Sequence, residues 1–306
     1  VSRGNPGGAT LAAFVGAVTL GGANFIAVRY SNRELEPFWG AGLRFSLAAL
    51  LFIAIALALR LRRPRGKELA VNVAYGALSF AVSYALMYWA LLRVTAGMAA
   101  VVLAIVPLAT LLLAATQRVE VFRLRGAAGA VLALAGIVWM AVGAEGVAVP
   151  LTALAAMLLA ALSIAQAIIL GRRLAHNHPA MTNAVGMSAG ALMLLPLSLL
   201  SGEAWVIPRA ADARWAVLYL VTFGSVGLFV LVLLVVRRWT PSATSYTFVL
   251  FPVVTMTLEA WLLDEPLTAR GVTGAVLVMS GVWFGALSPG ARRAAAPPAT
   301  ALNLAD

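Results

Sequence analysis

Few residues in this chain can do chemistry, and most of those are uncharged. Asn24 and Gln166 each lie inside a long apolar run, with Ser163 three residues before Gln166. A polar group in such surroundings is costly unless it finds a partner or water. The chemistry open to these side chains is hydrogen bonding, either as glue between helices or as groups facing a central cavity. A second set is LSFAVSYALMYWALL, where Phe80, Tyr84 and Tyr88 recur every four residues and so share one helical face, flanked by Ser79 and Ser83. That face either packs a bundle or lines a pathway. Tyr88 and Trp89 also suit an interface belt, whereas Tyr84 sits deeper and needs a partner for its hydroxyl. A third set is SATSYTFVLFP, with Ser245 and Tyr246 just before a proline; internal symmetry (below) sets them opposite Ala100 and Val101, near Met98. Aromatic, methionine and hydroxyl groups together suit a ligand with an apolar side chain and tolerant selection. Arg44 and Glu259 are the charges well inside apolar runs. Snorkelling or mutual pairing is expected of them, with gating or a contact to a substrate carboxylate the alternative for Arg44.

Other chemistries are excluded by what is missing. The chain has no cysteine, which removes disulfides, thiolate catalysis and cysteine-held metals. Its two histidines, His176 and His178, share one short polar loop and read as a solvated turn. There is no Ser–His pair in the apolar runs, no metal-ligand cluster and no Gly-rich phosphate loop, so an intramembrane enzyme is disfavoured, and no cofactor or metal is expected. A channel is disfavoured too, because neither charged rings nor a carbonyl filter is recognisable. No acid or histidine stands at mid-membrane where a proton relay would need one.

These residues require a membrane to position them. Of 306 residues, 62% are hydrophobic and 11% charged, against about 25% charged in soluble domains. Ten runs are long enough to span a bilayer: roughly 9–28, 37–59, 69–90, 96–116, 125–143, 149–171, 180–200, 214–236, 242–263 and 269–287. The first lacks a cleavage site and reads as a span rather than a signal peptide. The net charge of +11 belongs to short basic loops, not to a nucleic-acid surface. With the N-terminus inside, 15 of the 22 Lys and Arg residues fall on the cytoplasmic side and 6 outside, Arg44 being within a span. Both termini are then cytoplasmic, and the Pro/Ala-rich tail, 289–306, is expected to be a disordered cytoplasmic extension.

The runs repeat. Pro107 and Pro252 lie mid-span, 145 residues apart, and at the same offset Thr110 matches Thr255, Glu120 matches Glu265, and Arg125-Gly126 matches Arg270-Gly271. Gly129 and Gly136 match Gly274 and Gly281. At an offset of 142, Pro37 falls on Pro179 and Asn24 on Gln166. Five spans duplicated must enter the membrane from opposite faces, which makes an inverted repeat with its site at the repeat interface. The expected fold is an all-α integral membrane protein of ten transmembrane helices, as two inverted five-helix repeats over 1–146 and 147–288. Each mid-span proline is either a structural kink or one of a pair of hinges for alternating access. The glycines of spans five and ten read as close helix packing.

The stretches GGANFIAVR, PFWGAGLRFSLAALL, VEVFRLRGAAGAVLALAGIVW and DEPLTARGVTGAVLVMSGVWF, with the paired prolines, resemble the drug/metabolite transporter superfamily in its EamA-type ten-helix branch. Within it, the chain is most similar to bacterial exporters of amino acids, especially aromatic ones. The resemblance implies a secondary transporter of the bacterial inner membrane, a small-molecule substrate, and no enzymatic activity. Efflux of drugs or other metabolites is the same-fold alternative. The expected partners are an amino acid or similar metabolite and membrane lipid, with the protein a monomer or homodimer. Transport without ion coupling is the leaning, since no proton relay is visible.

Overall fold

The computed structural model describes residues 8–118, 124–142, 149–174, 176–238 and 241–287. The expected tail at 289–306 lies outside them. Every regular element among the described residues is helical. Ten helical passes follow one another: α1 (Gly8–Ser31), α2 (Pro37–Ala58), α3 (Lys67–Ala90), α4 (Ala96–Thr116), α5 (Leu124–Val142), α6 (Leu151–Gly171), α7 (Pro179–Leu200), α8 (Ala211–Val232, continuing to Arg238), α9 (Pro241–Leu262) and α10 (Ala269–Val282, with a further turn to Leu287). Eight of them are long and apolar enough to cross a membrane, and α9 and α10 contribute shorter apolar stretches.

The helix ends follow local rules. Pro37, Pro179 and Pro241 each open a helix, where the missing N–H is no loss. Thr95 caps α4, Thr268 caps α10, and a His178 ring nitrogen accepts from Ala180 N at the start of α7. Gly202, at φ +72°, turns the chain out of α7.

Packing pairs the two halves. α2 lies along α7 and α5 along α10, while α1 packs on α9 and α6 on α4. The last two pairings are images of each other under exchange of the halves. The α5–α10 seam runs on the expected glycines: a Cβ on Gly129 would lie 2.5 Å from the Gly281 carbonyl oxygen, and one on Gly274 would lie 2.1 Å from Met140. Leu50, Leu57, Val131, Leu192, Leu200 and Trp215 are exposed on the outer surface. An apolar girdle of that kind is stable only against lipid.

The mid-span prolines differ in setting. α4 breaks before Pro107, its helical segments being Ala96–Leu103 and Val106–Thr116. α9 runs unbroken through Pro252. Thr110 and Thr255 nevertheless do the same thing in both halves. Each hydroxyl bonds the carbonyl of the residue just before the proline, Val106 at 2.8 Å and Phe251 at 2.9 Å. Thr255 also lies 2.9 Å from the Gly22 carbonyl on α1.

Candidate functional site

Two helices carry a wide turn in the middle. In α3, residues Ala77–Val82 are π-helical, and in α8 residues Thr222–Gly227 are. Both ends of the second segment are 145 residues after those of the first, the offset that relates the prolines. A π turn leaves backbone groups without their usual partners and often marks a functional place. Here side chains from the neighbouring helix answer. In the first half Leu78 offers its carbonyl to Ser163 Oγ on α6 at 2.9 Å. In the second, Gly224 offers its carbonyl to Asn24 Nδ2 on α1 at 3.2 Å. Ser163 rather than Gln166 therefore occupies the role corresponding to Asn24. Gln166 is bonded instead by Gln117 Nε2 at 2.6 Å, near the end of the membrane region.

The second π turn holds one more group. Arg44 is 1% exposed, roughly 10 Å along α2 from its first turn. Its Nη2 donates to the same Gly224 carbonyl at 3.0 Å, its Nε to Ser225 Oγ at 3.1 Å, and its Nη1 approaches Tyr88 Oη at 3.5 Å. The guanidinium also lies 5.1 Å from the centre of the Tyr84 ring and 5.2 Å from that of Phe45. No carboxylate among the described residues lies within ion-pair distance of it. The expectation that Arg44 snorkels or pairs with Glu259 is thus overturned. Burial rules out the first, and Glu259 is engaged elsewhere. At an offset of 142, which aligns the first residues of α2 and α7, Arg44 corresponds to Gly186. There α3 meets α7 backbone to backbone: a Cβ on Gly76 would lie 2.3 Å from the Gly186 carbonyl oxygen. One half is closed by glycines where the other is closed by a charge.

Aromatic rings surround this point. Phe45 packs against Tyr84 at 4.7 Å and Phe80 at 5.2 Å between ring centres, and Phe80 reaches Phe229 of α8 at 5.8 Å. The Tyr84 and Tyr88 rings are 6.3 Å apart, and Phe80, inside the π turn, shares Phe45 with Tyr84, so the face read from the four-residue spacing is kept. Ser83 bonds the Ser79 carbonyl at 2.6 Å, within its own helix. Met98 is buried in the core at the start of α4, where its N–H donates to Thr95 Oγ1 at 3.2 Å. Ser245 and Tyr246 lie on the first turns of α9, but their side chains fall outside the described residues.

One face of the bundle is tied shut. Glu203, after α7, accepts from Phe38 N at 3.0 Å and Trp39 N at 2.7 Å at the start of α2. Glu34, after α1, accepts from Ala210 N at 3.0 Å before α8. Glu259, near the end of α9, accepts from Ala96 N and from Gly97 N, the latter at 2.8 Å, at the start of α4. Each carboxylate caps a helix of the opposite half, where the dipole favours it. Arg29 bonds Glu265 at 2.9 Å, Tyr30 bonds the Leu262 carbonyl at 2.7 Å, and the indoles of Trp39 and Trp205 stack at 4.5 Å. On the other, arginine-rich face, Arg62 and His176 both meet Glu68, Gln117 bonds Gln166, and the Arg125 guanidinium lies 5.8 Å from the centre of the Phe284 ring of α10.

The sequence matches the EamA-like transporter family twice, over residues 8–142 and again over 151–286. The chain belongs to the EamA-like transporter family. Its members here are transporters and not enzymes. The E. coli K12 protein described as uncharacterized inner membrane transporter YedA is 29% identical over 249 residues, covering 81% of this chain and 80% of its own. An uncharacterized transporter of Archaeoglobus fulgidus is 26% identical over 273 residues, with 87% and 95% covered. A Streptantibioticus cattleyicolor protein described as "Probable terminal-alkyne amino-acid exporter" is 28% identical over 276 residues, with 86% and 90% covered. A solved crystal structure shares the fold with a TM-score of 0.66 at 23% identity, over 93% of this chain and 98% of that one. As an EamA-like protein with this many apolar helices, the chain is a multi-pass membrane transporter.

Arg44 and the two π turns were the features hardest to place from sequence. Arg44 was visible as a lone charge in an apolar run.

Proposed function

We propose that this EamA-like transporter exports amino acids with apolar or aromatic side chains across the bacterial inner membrane. It does so by alternating access of two halves, 1–146 and 147–288, without ion coupling and with both termini cytoplasmic. The observation that carries the reading is the aromatic cluster of Phe45, Phe80, Tyr84 and Phe229, drawn from α2, α3 and α8 and set against a buried polar group. Such a place suits a ligand with an apolar body and a polar end. The likeness to a protein described as an amino-acid exporter supports the same substrate class. Asn24, Ser79, Ser83, Tyr84, Tyr88, Met98, Ser163, Gln166, Ser245 and Tyr246 remain the candidate lining. Pro107 and Pro252 are the candidate hinges, and matched prolines in one broken and one continuous helix are what two halves in different positions would show.

Purified protein in proteoliposomes is the test, with labelled tryptophan, phenylalanine, methionine, threonine and lysine as the panel. Saturable uptake of the apolar and aromatic members, unchanged when a proton gradient is collapsed, is expected. Abolition by that collapse overturns the uncoupled mechanism. Absence of uptake of every member by folded protein moves the substrate to drugs or other metabolites.

A further inference from the structure

We propose that Arg44 and Asn24 together recognise the charged end of the substrate, Arg44 its carboxylate and Asn24 its ammonium group, so that the site selects α-amino acid zwitterions. The proposal rests on the amino-acid reading above and names the groups behind it.

The first observation is an unsatisfied cation. A guanidinium has five N–H donors, and the Arg44 contacts to Ser225, Gly224 and Tyr88 use three. Its charge is met by a carbonyl, two hydroxyls and two ring faces, and by no carboxylate among the described residues. Truncating one partner of a buried pair is costly because it strands a charge; here no carboxylate partner stands among the described residues. A carboxylate arriving from outside supplies it, and Arg is the side chain whose donors match that group two at a time.

The second observation is independent. Asn24 is 7% exposed, and its Oδ1 has no hydrogen-bond partner, although its Nδ2 is anchored on the Gly224 carbonyl. A buried acceptor left unpaired calls for a donor. Because the Asn24 amide and the Arg44 guanidinium share one acceptor, they stand no more than about 6 Å apart for hydrogen bonds of ordinary length. That spacing matches the two ends of an α-amino acid head. The shared acceptor depends on Gly224 being glycine: a Cβ there would lie 2.1 Å from Asn24 Oδ1 and 3.5 Å from Arg44 Nη2. The rings of Phe45, Tyr84 and Phe80 begin where the head group ends and take the side chain.

The experiment compares phenylalanine with phenethylamine, which lacks the carboxylate, and with 3-phenylpropionate, which lacks the ammonium. Uptake of each into proteoliposomes is measured for the wild type, Arg44→Gln and Asn24→Leu. A site built to bond a group rejects the analogue without it strongly, so the wild type prefers phenylalanine to both analogues by at least ~100-fold. Arg44→Gln collapses the preference over phenethylamine, and Asn24→Leu collapses the preference over 3-phenylpropionate. If all three compounds fall by one common factor in each variant, both residues are structural and the proposal is overturned, with the exporter reading intact. Wild-type uptake of phenylalanine and phenethylamine at equal efficiency overturns it as well, and decides the matter even where Arg44→Gln does not fold. If the wild type carries no amino acid, both the proposal and the reading beneath it fail.

Discussion

Glu259→Gln is the substitution that best separates a latch from a brace. The Glu259 carboxylate accepts two backbone N–H groups of α4, those of Ala96 and Gly97. It is 6% exposed, so water does not replace it easily. Glutamine keeps one accepting oxygen and turns an NH2 toward the second donor. The loss is about 1.5–3 kcal/mol for a hydrogen bond to a charged group, with about 0.3–1 kcal/mol more for the charge at a helix N-terminus. If the contact is made only while this face is closed, roughly 2–4 kcal/mol moves the open/closed ratio by about 30- to 700-fold, at a factor of ten per 1.4 kcal/mol. The absence of native cysteine makes the readout clean. A single cysteine at Val94, which is 5% exposed beside α4, reports opening through its reaction with a membrane-impermeant maleimide. The rate is expected to rise at least ~10-fold in Glu259→Gln, allowing for partial relaxation of the amide. Equal rates within a factor of two, in two folded proteins, would show that the carboxylate braces α4 in every state and gates nothing.

Three further outcomes are expected. Gly76→Ala drives a methyl into the Gly186 carbonyl, 2.3 Å from the ideal Cβ, and should cost about 1–3 kcal/mol of stability, read as a lower midpoint in thermal unfolding in detergent; an unchanged midpoint would contradict the close α3–α7 approach. Tyr84→Phe should leave uptake of phenylalanine within about threefold, whereas Tyr84→Ala, which strips the ring from Phe45, should lower kcat/KM for aromatic substrates by ~10-fold or more; equal effects would move the role to the hydroxyl. Pro107→Ala lets α4 form the hydrogen bonds its proline forbids and should slow transport more than binding, seen as a fall in kcat at near-constant KM, whereas a fold-wide loss of stability would make the break a packing feature alone.

Much of the architecture was legible in sequence because bilayer thickness fixes span length. The ten runs could be counted from apolar length, and the prolines, threonines and glycines in register at 145 disclosed the duplication. The glycine seam of α5 and α10 could be read for the same reason, since small residues at repeated positions have few other uses in lipid. The Phe80–Tyr84–Tyr88 face followed from helical spacing. The pairing of Asn24 with Arg44 did not, because it runs through a carbonyl freed by a π turn 180 residues and more along the chain, and TFGSVG carries no motif for that turn. Asn24 was matched to Gln166 by counting, whereas the fold gives the corresponding task to Ser163. Glu34 and Glu203 look in sequence like ordinary loop acids. Only their placement opposite helix ends of the other half gives them a task.

The mismatch between Arg44 and Gly186 bears on ancestry. The π turns, the prolines and their threonines keep a gap-free offset, so these irregularities were present in a single five-helix unit before it was copied. Two such units meeting in opposite orientation about a two-fold axis as separate chains would place the same residue at both corresponding points, either two guanidiniums or two glycines. The first arrangement gathers repelling charges in a medium that screens them poorly, and the second has no charge to offer. Only after the unit was duplicated, so that its two copies could diverge, could one keep an arginine and the other a glycine. A buried cation on one side alone, and with it a preferred orientation for whatever binds there, is a property the diverged pair can have and the ancestral pair of identical units could not.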